Sequence, residues 1–218
     1  MVYSNRLGST EVLDLLLSLA SLTIAFAIMG QRSVPGAEIF LISALAVGSG
    51  FLLHELAHKF VAQHYGYWAE YQANRVGLIV IIAMALMGFI IAAPGAVVIR
   101  QRSFLTSAQN PWPGQGEPAQ TTEQSVARHL LWISLAGPLT NIALMVFFLM
   151  LLLSGVLTSD LSINAAYFAF FINLTLAAFN LIPAGPLDGR KIYRGSPRIW
   201  ALVAVPTFLL ALPVYMWG

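Results

Sequence analysis

The sequence predicts an all-α polytopic membrane protein, and three observations predict it. Of 218 residues 58% are hydrophobic and only 9% are charged, where a soluble domain carries about a quarter charged residues. Mean hydropathy is +0.78. The apolar residues gather into segments of about 20, the length that crosses a hydrocarbon core.

Six apolar segments stand out, at roughly 11–29, 37–63, 76–99, 127–154, 162–182 and 199–217. The first follows Arg6 as a signal peptide would, but Glu11 and Asp14 open it and no small-residue cleavage site follows, so it is expected to stay as a helix. Between the third and fourth, residues 103–126 mix Pro, Gly, Gln, Ser and Thr without a period. Such a stretch is a solvated, mobile polar loop. Thr121 and Gln124 have the spacing of a capping box for the helix that follows. Pro206 and Pro213 predict an irregular last span. No internal repeat and no appended soluble domain is visible, so residues 1–218 read as a single membrane-embedded domain with five to six spans.

A net charge of +2 is too small for a nucleic-acid partner, and the lipid bilayer is the expected one. With no cysteine, a bound metal must rely on His, Asp or Glu. The second segment ends in FLLHELAHKF, which holds His54-Glu55-x-x-His58. Residues four apart share a helix face, so both imidazoles can reach one ion, while Glu55 can take a proton from water that the ion acidifies. Two helix histidines could instead bond across a bundle. In a membrane span, however, ionisable residues are costly and usually functional, which favours the metal reading.

A catalytic zinc takes three protein ligands and keeps one open position. Most of the other carboxylates lie at segment ends or in polar stretches; Glu70 in YWAEYQ is conceivable as the third ligand, and Asp188 is preferred. Asp188 follows FNLIPAGPLDGRKI, where Pro183, Gly185, Pro186 and Gly189 break the helix. Irregular backbone at membrane depth is tolerated only where it is buried or lines a watery cavity. His64 and His129 read as interfacial side chains.

At these stretches the chain resembles the site-2 protease family of intramembrane zinc metalloproteases. Three features carry the resemblance: His54-Glu55-x-x-His58, Asn180-Leu-Ile-Pro183 with Leu187-Asp188-Gly189, and Ala136-Gly137-Pro138-Leu-Thr-Asn141. It covers residues 37–190, the expected catalytic core. It implies one zinc ion per chain on His54, His58 and Asp188, Glu55 as general base and Asn141 as stabiliser of the oxyanion. The implied substrate is a membrane protein cleaved within or near a transmembrane segment, as in regulated intramembrane proteolysis. Arg190 departs from the pattern, standing where many members have a second glycine, and no PDZ or regulatory domain is attached. The alternative is a zinc-binding membrane protein or an inactive relative; the first lacks ionisable groups along a path, and the intact Glu55 argues against the second.

Topology constrains the third segment. If residues 76–99 crossed fully, Asp188 and His54 would lie on opposite sides of the membrane. A shared metal forbids that, so 76–99 is expected to enter and leave on one side, as a re-entrant or β-hairpin segment, with its edge open to an extended peptide. That arrangement puts Arg6, Lys59, Arg75, Arg100, Arg102, Arg128, Arg190, Lys191, Arg194 and Arg198 on one side and Arg32 on the other. By the positive-inside rule the active site then faces the cytoplasmic side of the cell membrane.

Overall fold

The computed structural model describes residues 7–29, 34–90, 94–100 and 123–217. Most of the expected polar loop 103–126, with Thr121 of the expected capping box, lies outside the described residues, as do Arg6, Arg32 and Arg102. In chain order the elements are α1 (Ser9–Ile28), α2 (Ala37–Val47), a π-helical turn (Gly48–Leu52), α3 (Leu53–His64), β1 (Trp68–Ala73), α4 (Arg75–Leu86), β2 (Gly95–Arg100), α5 (Glu123–Leu153), α6 (Asp160–Asn180), α7 (Asp188–Gly195) and α8 (Pro197–Trp217).

Among the described residues, five helices are long and apolar enough to cross a membrane: Ser9–Ile28, Ala37–His64, Glu123–Leu153, Asp160–Asn180 and Pro197–Val214. The second is α2, the π turn and α3 in one continuous rod. α8 runs unbroken with Pro206 and Pro213 inside it, so the expected irregular last span is a helix here. Both prolines cost a backbone hydrogen bond, a loss that neighbouring groups can cover within a bundle. The helices approach closely at small residues: Ala25, Ala46, Ala169 and Ala177 are fully buried, the pattern of membrane bundles that pack without help from water. Leu41, Phe147, Met150, Leu202 and Leu209 point outward and exposed, as a lipid-facing surface requires.

The third apolar segment makes an excursion and no crossing. α4 has 12 residues, about 18 Å at 1.5 Å per residue, against a core of roughly 30 Å. Asn74 caps it, its side chain accepting from Gly77 N at 3.0 Å. The two strands flanking α4 pair antiparallel, Trp68 opposite Arg100 and Ala73 opposite Gly95. The unit is therefore strand, short helix, strand, and its first strand begins before the expected 76–99 range.

One edge of this small sheet is closed by α1. Glu11 Oε1 accepts from Tyr71 N and Asp14 Oδ2 from Ala73 N, both at 3.0 Å. Those two backbone groups point away from β2, so their cross-strand partners Val97 and Gly95 point away from β1 in the same way. The second carboxylate oxygen of Glu11 pairs with the Lys59 ammonium on α3. Lys59 is 2% exposed and Glu11 1%. Lys59, expected among the basic residues on one side of the membrane, is thus an internal charge, neutralised inside the bundle.

Candidate metal centre

His54 and His58 lie on α3 and Asp188 opens α7; all three are buried. Their ligand atoms converge. His54 Nε2 and His58 Nε2 are 3.0 Å apart, and Asp188 Oδ2 is 3.4 Å from the first and 2.9 Å from the second. Among the described residues this is the group of three that could hold a metal ion. A tetrahedral zinc with bonds near 2.0–2.1 Å places its ligand atoms about 3.3 Å apart, so the triangle has the right size.

The chemistry of the donors fits as well as the distances. His58 Nδ1 donates to the Ile133 carbonyl at 2.6 Å, and a carbonyl can only accept. His54 Nδ1 donates to Asn141 Oδ1. With the Nδ1 protons committed, both Nε2 lone pairs face each other and a carboxylate oxygen. Three electron-rich atoms meeting in a buried site need a cation between them. Lys191 Nζ sits 3.0 Å from the other oxygen, Asp188 Oδ1.

Local sequence explains why these atoms can meet. Pro138 lies inside α5 and cannot donate to the preceding turn. At the adjacent Gly137 a Cβ would run into both imidazoles, so glycine makes the room that the ligands fill. Asp188 arrives from the turn after α6: Gly185 takes φ +56°, a conformation suited to glycine. A Cβ at Gly189 would strike the Leu181 carbonyl. That carbonyl also accepts from Trp200 Nε1 at 2.8 Å, tying the turn to α8.

The three residues and Glu55 line a cavity of about 270 Å³ together with Gly95, Val97, Ile99, Asn180 and Lys191. Glu70 is on β1, where it accepts from Thr10 Oγ1 at 3.2 Å; it is not part of the metal-binding group. His64 is exposed, and His129 stacks on Tyr65 with its Nδ1 3.2 Å from Tyr67 Oη. Asn141 is fully buried and its side-chain nitrogen donates to Gly50 O and Asn173 Oδ1, each at 3.0 Å. Both amide hydrogens are thus engaged away from the cavity. That arrangement suits a residue that holds His54, and differs from the expected donor to an oxyanion. Asn173 escapes a sequence reading because it carries no expected ligand atom; the hint it offers is an amide in the middle of a largely apolar helix.

Comparison with known proteins agrees with this geometry. Residues 155–202 match the model of peptidase family M50. A Methanocaldococcus jannaschii protein, provisionally named a zinc metalloprotease, is 38% identical over 216 residues, 97% of this chain and 98% of the relative. A second protein of that organism, named a zinc metalloprotease, is 28% identical over 201 residues, 89% of this chain but 45% of the relative. A Mycobacterium tuberculosis protein, also provisionally named a zinc metalloprotease, shares 35% identity over 101 residues, 45% of this chain and 26% of the relative. No solved structure matches the chain at a significant level. With a relative matched nearly end to end, the chain belongs to peptidase family M50, the site-2 protease family, and is a zinc metalloprotease with several membrane-spanning helices.

Proposed function

We propose that this metalloprotease works within the membrane, hydrolysing peptide bonds in or near transmembrane segments of membrane protein substrates, as in regulated intramembrane proteolysis. The observation that carries the reading is the convergence of His54, His58 and Asp188 beside Glu55 in a cavity among membrane-spanning helices. His54, His58 and Asp188 hold the zinc. Zinc at this position supplies Lewis acidity, lowering the pKa of water and polarising a carbonyl. Glu55 takes the proton from the attacking water and returns it to the leaving amine. Asn141 orients His54.

A helical substrate hides its carbonyls and must unwind to react. The edge of β2 suits the unwound strand: Gly95, Val97 and Ile99 line the cavity, and α1 already occupies the far edge of β1. Main-chain pairing at that edge would hold a substrate largely irrespective of its side chains. An active site toward the cytoplasm of the cell membrane is supported by the charge distribution: with 76–99 entering and leaving on one side, Arg75, Arg100, Arg128, Arg190, Lys191, Arg194 and Arg198 all fall on the side of Asp188.

Purified protein reconstituted with a single-span substrate tests the reading. Cleavage should occur, stop with a chelator, and be absent in Glu55→Ala at unchanged zinc content. Zinc-loaded protein that leaves every such substrate intact would rule the proposal out.

A further inference from the structure

We propose that Asn173, on α6, is a positioning residue that fixes the tautomer of His54 through the amide of Asn141. The proposal rests on the zinc reading above and deepens it.

An asparagine amide has one face that accepts and one that donates, and a half-turn about its last side-chain bond exchanges them. In the observed orientation Asn141 Oδ1 meets the His54 Nδ1 hydrogen, and its nitrogen donates to Gly50 O and Asn173 Oδ1. Turned over, its oxygen would confront two acceptors, and its nitrogen would force the His54 proton from Nδ1 onto Nε2. That proton would point at His58 Nε2 and Asp188 Oδ2, into the space the metal needs. The orientation of Asn141 therefore decides whether His54 offers a lone pair or a hydrogen to the ion.

Asn173 is itself held one way round. Its nitrogen donates to Ala169 O at 2.8 Å and to Ser49 Oγ at 3.4 Å, which turns its oxygen toward Asn141. Asn141 and Asn173 are fully buried, so water cannot substitute for either partner. Close approach of α6 to the π turn makes the relay possible: a Cβ on Gly50 would stand only 2.9 Å from Leu176 Cδ1 and 3.1 Å from Ile172 Cγ2. Three helices thus converge on one proton, and Asn173 is the member farthest from the metal.

The test compares wild type with Asn173→Leu, which removes the acceptor at similar volume, and Asn173→Asp, which retains an acceptor oxygen toward Asn141. The ring ¹⁵N shifts of the four histidines are read in the metal-free full chain in lipid nanodiscs, with His54 assigned by its loss in His54→Gln. Zinc affinity is measured on the same samples. The expected result is an Nδ1–H tautomer for His54 in wild type and Asn173→Asp, and a mixture in Asn173→Leu. Zinc binding should weaken roughly tenfold or more in Asn173→Leu, the usual cost of losing support behind a ligand, and stay within about threefold in Asn173→Asp. An unchanged tautomer with unchanged zinc affinity in Asn173→Leu would overturn the inference. Equal loss in Asn173→Asp would do the same, and that arm decides the matter if Asn173→Leu does not fold. A wild-type protein that takes up no zinc would sink the parent reading, so the two failures look different.

Discussion

Lys59 and Glu11 form an ion pair across 48 positions of sequence, with almost no exposure on either side. Lys59 directly follows His58 of the candidate metal centre, and Glu11 also holds the backbone of β1. The pair therefore joins α1, the histidine helix and the substrate-side sheet at a single point. Removing one member strands a buried charge, which costs about 3–5 kcal/mol. Glu11→Leu should lower the unfolding free energy in detergent by that order. The double variant Glu11→Leu with Lys59→Met should recover most of the loss, because no unpaired charge remains; no recovery would show that the hydrogen bond from Tyr71 dominates instead.

Gly137→Ala should disable the metal centre with little effect on helix content. The added methyl group enters the space of both imidazoles, and crowding of a packed site costs about 1–3 kcal/mol. Zinc per chain, measured beside circular dichroism, should fall well below one while the helical signal persists.

Glu55→Gln and Asp188→Ala should fail in different ways. The first keeps the ligand set and loses the proton acceptor, so zinc stays near one per chain while cleavage drops roughly 10²–10⁴-fold. The second removes a ligand and should lose zinc and activity together. Undiminished zinc in Asp188→Ala would remove that residue from the ligand set.

Ile99→Pro separates substrate pairing from the metal. Ile99 faces away from β1 by the register of the sheet, so proline there leaves the ladder with β1 whole and removes a donor from the free edge. KM for a transmembrane substrate should rise with zinc content unchanged. A rise no greater than that produced by Ile99→Ala would argue against strand pairing.

The group that could hold a metal was legible in the sequence because two histidines, a glutamate and a distant aspartate contrast with an apolar chain. Chemistry that bears charge in such a background has few competing explanations. The re-entrant excursion followed from the same logic, since His54 and Asp188 must share a side. Its details did not: β1 precedes the apolar run, and its position depends on carboxylates of α1 about 60 residues earlier. Lys59 likewise looks like any interfacial cation until the fold brings Glu11 to it. Asn141 could be placed near the metal by its motif, yet the direction of its amide depends on Asn173 and Gly50, which no local pattern links to it.

The π turn at Gly48–Leu52 is in effect one residue more than a regular rod would hold at that place. Each residue of an α-helix advances the chain by about 100° around its axis. Tightening this turn to ordinary helix with every residue kept would swing His54, Glu55 and His58 by roughly a quarter of a revolution, away from α5. The bearing of the histidine pair is thus set by an irregularity that precedes the motif, and a change that let the turn relax to a regular helix would turn the pair aside while every functional side chain survived.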